Sequence, residues 1–254
     1  TCTGAGRWGI ARVAAALDHV AYYAGATLLG REKRGTVSFD LRRAEPSRAG
    51  ALTRLIAALT AVFVVLAIFV ATGLNALQSI DDDIGQAAYD FSARHPGFVD
   101  FLDGVAIVFS NLSCGVVLAL GAAYAMWRRE RQVALWIVIS GIVAIGGNAL
   151  IKQIFQRERP GFDKPLHEIG GYSFPSGHAA GSAMFFTIAV LMAIVVTGRG
   201  WRRRSIVAIL ILIGLGVGAS RVLLGVHYAS DVVAGLCFGV AVTVGLWLLL
   251  VTDA

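Results

Sequence analysis

The sequence predicts an all-α polytopic membrane protein with six transmembrane helices, preceded by a separate N-terminal segment. Three observations predict it. Hydrophobic residues fill 57% of the 254 positions. Charged residues fill only 15%, against about 25% in soluble domains. The stretches free of charge have the lengths that cross a bilayer, about 20 residues each. Together these exclude a disordered chain, a collagen-like fibre and most soluble folds. No stretch alternates as a barrel strand does, and helices satisfy their own backbone hydrogen bonds in lipid.

Residues 1–50 form the first unit. A chain that begins at Thr1 rather than Met reads as processed or trimmed. The apolar run 10–29 is interrupted by Arg12, Asp18 and His19, which argues against a signal peptide. Ile10, Val13, Leu17 and Val20 recur at helical spacing beside basic residues. The segment is expected as an interfacial helix on the inner leaflet, or else as a plain cytoplasmic tail. The membrane domain is expected over 51–254. Its spans are 55–80, 104–127, 132–151, 179–198, 205–220 and 232–252, each free of Asp, Glu, Lys and Arg. The fifth is short, but apolar character resumes after Arg221 with Val222, Leu223 and Leu224.

The connecting residues are read in the same way. Asp81-Asp82-Asp83 lacks the Gly and Glu spacing of a calcium loop and reads as a solvated turn or helix start. Phe98, Val99, Phe101 and Leu102 read as a cluster at the outer interface. Cys2, Cys114 and Cys237 are too few and too scattered for a disulfide scaffold or a zinc site, and read as buried thiols. Asn148 and the Gly214/Gly218 pair read as helix-packing devices. His19, His95 and His167 read as surface residues.

Charge sets the orientation. With six crossings, the N-terminus, the turns 128–131 and 199–204 and the C-terminus share one side. That side carries 16 of the 22 Lys and Arg but 6 of the 16 acids, a balance of +10 against −4 opposite. It is therefore expected to be cytoplasmic, with both termini on it. The net +6 then reflects topology, including the Arg-rich stretch 31–54, and not a nucleic-acid site.

The external charges gather in three segments. Lys152 to Pro160 leaves span three, Pro175-Ser176-Gly177-His178 enters span four, and Ser220-Arg221 leaves span five, with His227 and Asp231 entering span six. Lys152, Arg159 and Arg221 suit a phosphate, since Arg offers a planar fork and Lys a compact charge. Ser176, Gly177 and His178 open a helix whose free N–H groups and dipole favour an anion. His227 and Asp231 stand at i and i+4, expected on one helix face. The carboxylate there can accept from one imidazole nitrogen and leave the other free to attack, while His178 is a second imidazole available as an acid.

At these residues the sequence resembles the type-2 phosphatidic acid phosphatases, or lipid phosphate phosphatases. The family pattern is Lys, six residues, Arg-Pro; then Pro-Ser-Gly-His; then Ser-Arg, five residues, His, three residues, Asp. Lys152, Arg159 and Pro160 fill the first, Pro175 to His178 the second, and Ser220, Arg221, His227 and Asp231 the third. The resemblance covers about 51–252 and looks closest to bacterial enzymes of the phosphatidylglycerophosphatase B and undecaprenyl pyrophosphatase type. It implies a six-helix membrane enzyme of the bacterial inner membrane, with its site on the outer face and no metal or other cofactor. It implies that His227 attacks phosphorus to form a phosphohistidine, that Asp231 orients and charge-supports His227, and that His178 protonates the leaving group and then activates water. Lys152, Arg159, Arg221, Ser176 and the Gly177 amide would hold the phosphoryl oxygens.

The implied partners are a lipid phosphate substrate and the membrane lipids. Phosphatidylglycerol phosphate, phosphatidic acid and undecaprenyl pyrophosphate are the candidate substrates. The compact loop from 152 to 178 favours small head groups over a large saccharide. A lipid-to-lipid phosphotransferase would share this site. A vanadium haloperoxidase carries a similar constellation but is soluble. An anion transporter would place charge near the bilayer midplane on broken helices, whereas here the charges stand at helix ends.

Overall fold

The computed structural model describes residues 46–167 and 169–252. The expected interfacial helix and Cys2 lie outside the described residues. Every regular element among them is helical. They are α1 (Pro46–Thr72), α2 (Asn75–Ala93), α3 (Pro96–Val108), α4 (Asn111–Trp127), α5 (Arg131–Phe155), α6 (Gly177–Val196), α7 (Trp201–Leu223) and α8 (Ala229–Trp247), followed by a π-helical turn, Leu248–Thr252. Six segments are long and apolar enough to cross a membrane: Ala49–Thr72, Pro96–Trp127, Arg131–Phe155, Gly177–Val196, Trp201–Leu223 and Ala229–Val251. The fifth span is 23 residues rather than the charge-free 16, because Arg202, Arg203 and Arg204 extend its first turn and Arg221 its last.

The first two spans differ from the sequence reading. The expected run to residue 80 stops at Thr72. Gly73 adopts φ +62°, its N–H donates to Val70 O (3.2 Å), and Leu74 N–H donates to Phe69 O (3.0 Å). This is a helix stop closed by a left-handed glycine. Beyond it α2 is a separate helix rich in Asp and Gln, with Asp81, Gly85 and Ser92 buried on one face. The second span is broken at Phe109–Ser110. There Ser110 caps α4 by accepting from Ser113 N–H at 3.1 Å, and Ser113 Oγ donates to Ile107 O at 2.9 Å.

Helix α6 is the centre of the bundle and touches α4, α5, α7 and α8. Its contact with α8 is backbone to backbone. A Cβ added at Gly235 would stand 2.5 Å from Ser176 O, and one at Gly239 would strike Ala180 O. Small residues let membrane helices close to this distance, where dispersion rather than the hydrophobic effect holds them. The expected packing roles of Gly214 and Gly218 hold: Phe186 covers the first, Val232 and Leu236 the second. Cys114 and Cys237 are buried free thiols.

One end of the bundle is an apolar core. Trp136 is fully buried, donates Nε1–H to Thr243 O at 2.9 Å and meets Trp247 edge-on at 4.7 Å. Leu118, Ile137, Met184 and Ile188 close round them. The loop 156–176 crosses the opposite end. Phe162 stacks on Tyr89 of α2 at 4.3 Å, and Tyr89 Oη donates to Lys164 O at 2.8 Å. Phe98, Val99 and Leu102, expected at the outer interface, pack on Leu224 and Val226, while Phe101 stays exposed.

Candidate active site

Four helix ends and one loop converge on this second end. Lys152 stands in the last turn of α5. Its Nζ donates to Tyr172 O (2.5 Å) and Ser173 O (3.0 Å), which ties the loop to the helix end. Ser176 is the N-cap of α6, and its Oγ accepts from Ala179 N–H at 3.4 Å. The amides of Gly177 and His178 are the first two of the helix and have no intrahelical acceptor. A Cβ at Gly177 would stand 3.3 Å from Asn148 Oδ1, a tight contact that the Asn148 side chain would have to give way to. Asn148 is buried and donates to Pro175 O at 3.4 Å, so its packing role is to seat the entry of α6.

Arg221 lies in the last turn of α7, only 2% exposed, with Nε and Nη2 each 3.1 Å from Ser220 Oγ. Arg159 lies in the loop and donates to Gly171 O (3.0 Å) and Val226 O (2.6 Å). Its Nη1 is also 3.2 Å from His227 Nε2. A guanidinium only donates, so Nε2 must carry the lone pair and Nδ1 the proton. That proton faces Asp231 Oδ2 at 3.5 Å, an ion-pair separation rather than a closed hydrogen bond. Burial is the main cause that lowers the His227 pKa to about 4; Asp231 opposes the shift, and Arg159 and Lys152 add to it. The ring is therefore neutral at physiological pH. Burial also lowers the Arg159 pKa, with Asp231 opposing it.

The charges of Arg221, Arg159 and Lys152 all act on His178, which completes the ring of groups. Among the described residues, no carboxylate stands within ion-pair distance of Lys152, Arg159 or Arg221. All eight residues singled out by sequence thus gather at one end of the bundle. One geometric expectation fails. His227 is not on the helix with Asp231, because α8 begins at Ala229 with Tyr228 as its N-cap. Asp231 Oδ2 instead accepts the Tyr228 N–H at 3.0 Å, capping the helix while it faces the imidazole.

Sequence reading missed two participants. Arg157 points away from the cradle to Asp231 Oδ1 (2.7 Å) and Asp81 Oδ2 (2.8 Å). Burial works against its charge, but Asp231 and Asp81 outweigh it and hold its pKa above the ordinary guanidinium value. Asp81 is 1% exposed, so it is no solvated turn residue. A face of small and polar residues on α2 (Gln78, Asp81, Gly85, Ser92) was its available signal.

A cleft of about 510 Å³ adjoins Arg159, lined among others by Pro160, Pro165, His167, Ile169 and Gly225. His167, read from sequence as a surface residue, lies 3.5 Å from Asp103 at this cleft. A smaller cavity, about 270 Å³, is an apolar groove between α4, α5 and α6 near Arg128 and Glu130; it contains none of these groups.

Known proteins share this architecture. Residues 131–253 match the PAP2 superfamily model. The chain is 30% identical over 179 residues to phosphatidylglycerophosphatase B of Bacillus subtilis, covering 70% of this chain and 85% of that one. It is 31% identical over 154 residues to decaprenylphosphoryl-5-phosphoribose phosphatase of Mycobacterium tuberculosis, covering 58% and 77%. The crystal structure of a transmembrane PAP2-type phosphatidylglycerolphosphate phosphatase from Bacillus subtilis superposes with a TM-score of 0.64 at 28% identity, covering 75% of this chain and 93% of that one. The chain therefore belongs to the PAP2 superfamily of membrane lipid phosphatases.

Proposed function

We propose that the protein removes the terminal phosphate from a lipid phosphate at the outer face of the membrane, through a phosphohistidine on His227. The observation that carries this is the conjunction of a neutral, buried imidazole with three cations that no carboxylate among the described residues meets at ion-pair distance. Phosphoryl transfer asks a protein chiefly for positioning and charge stabilisation. Lys152, Arg159, Arg221, Ser176 and the first amides of α6 supply both.

In the first half-reaction His227 Nε2 attacks phosphorus and the bond from phosphorus to the leaving oxygen breaks. His178 gives its proton to that oxygen, so a lipid alcohol leaves, or a lipid monophosphate if the substrate is a pyrophosphate. Asp231 faces the protonated Nδ1 and supports the positive charge the ring gains. Arg159, which in the free enzyme touches Nε2, passes to a phosphoryl oxygen. In the second half-reaction His178 takes a proton from water, the water oxygen bonds to phosphorus, and the N–P bond breaks to release inorganic phosphate.

The excess of Lys and Arg on the opposite side supports an external site with both termini cytoplasmic. The compact loop and the cleft beside Arg159 favour a small head group, and the likeness to a phosphatidylglycerophosphatase makes phosphatidylglycerol phosphate the first substrate to try. Purified protein in detergent is expected to release inorganic phosphate from it without an added acceptor, and His227→Ala protein is expected not to. Phosphate release by the His227→Ala protein, or transfer only to an added lipid, would overturn the assignment.

A further inference from the structure

Arg157 fills an unspecified position of the first motif, and Asp81 lies outside all three motifs and outside the residues that match the family model. Yet they form the most tightly bonded ionic group at this end. Both terminal nitrogens of Arg157 are engaged: Nη1 donates to Asp231 Oδ1 (2.7 Å) and Ser230 Oγ (2.8 Å), Nη2 to Asp81 Oδ2 (2.8 Å) and Gln78 Oε1 (3.0 Å). Its plane covers the Tyr228 ring at 4.1 Å. Asp81 Oδ1 accepts Ser230 N–H at 2.9 Å, and Ser230 Oγ donates to Asp81 Oδ2. Asp81 and Asp231 are 1% and 0% exposed.

The charge balance gives this group a consequence. Asp231 shares one carboxylate between two claims: Oδ1 goes to Arg157, Oδ2 faces His227. With Arg157 alone, that carboxylate would be neutralised before the imidazole gained any charge. Asp81 grips the other edge of the guanidinium, so two carboxylates share one cation and one negative charge is left over. In a site closed to water this residual charge acts strongly on its neighbour.

We propose that Asp81, acting through Arg157, is a positioning residue for the reaction: it keeps Arg157 from neutralising Asp231 and holds Asp231 Oδ2 toward His227. This rests on the reading of His227 as nucleophile.

Asp81→Asn keeps the shape and an acceptor for Ser230 N–H but removes the charge. It is expected to lower kcat about tenfold or more with KM and melting temperature near wild type. Adding Arg157→Gln to Asp81→Asn removes the cation that Asp81 balanced, and is expected to recover part of the lost kcat. A wild-type kcat for Asp81→Asn, or a further additive loss in the double variant, would overturn the inference. Should Asp81→Asn fail to fold, Arg157→Lys is the second variant. A single ammonium cannot engage both carboxylates as the fork does, so kcat is expected to fall at unchanged KM, and an unchanged kcat overturns the inference equally. If His227→Ala is inactive and Asp81→Asn is unimpaired, this inference alone is lost. If His227→Ala stays active, the nucleophile assignment is lost and this inference with it.

Discussion

Arg157 and Arg159 stand two residues apart in one loop and meet opposite fates. Arg157 belongs to a closed cluster in which two buried carboxylates and the face of an aromatic ring use up its charge. Arg159 belongs to an open cradle with Lys152 and Arg221, where the acceptors are carbonyls, a serine hydroxyl and an imidazole, none carrying negative charge. The cluster supplies its own counterions; the cradle awaits an anion. The difference teaches where to look for function among several buried cations. A paired cation is architecture around a site, and an unpaired one marks a candidate site.

The sharpest way to break this comparison is at the atom between the two regions. His227→Ala removes the proposed nucleophile and is expected to lower kcat on the order of 10⁴-fold or more, with vanadate binding to the cradle retained. Phosphate release by that variant, followed in detergent, would dismantle both regions' roles. Next is the cradle itself. Arg221→Gln is expected to cost on the order of 10²–10³ in rate, by analogy with removal of one oxyanion donor, and to weaken vanadate inhibition. A pH profile of kcat/KM gives a milder test. Burial lowers the His227 pKa to about 4, so the ring should lose its nucleophilic lone pair only as pH falls through that value. The acid limb is therefore expected near pH 4 rather than 6.5. An acid limb at pH 6 or above would show that burial does not hold His227 neutral. The smallest effect on activity is expected at the far end of the bundle. Trp136→Ala leaves a cavity beside Trp247 and removes the Nε1–H donor to Thr243 O, costing on the order of 3 kcal/mol of stability. Its kcat should stay at wild type below the melting transition.

The six spans and the eight candidate site residues were legible because each has a local signature: a length of apolar sequence, or fixed spacings between polar residues at helix ends. What escaped has no such signature. Asp81 sits in a run of three aspartates, and nothing local distinguishes it from Asp82 and Asp83, which are exposed. Only the stop at Gly73 and the turn of α2 onto α8 make it buried and its neighbours solvated. Arg157 lies among residues of the first motif, but the direction of its side chain depends on a carboxylate 76 positions earlier. The break at Ser110 is similar, since an apolar run hides a helix cap made by two serine hydroxyls. Long-range pairing of charges is written in no single segment.

The contact of α6 with α8 bears on how the enzyme tolerates its surroundings. His178 stands in the first turn of one helix and Asp231 in the first turn of the other, and Gly235 and Gly239 bring the two backbones into contact. Helices that meet through long side chains slide and tilt when acyl chains lengthen or shorten. Two helices joined backbone to backbone respond as one rigid body. The spacing of His178 and Asp231 is thereby insulated from hydrophobic mismatch, and in vesicles of graded acyl-chain length turnover should vary less than thermal stability does.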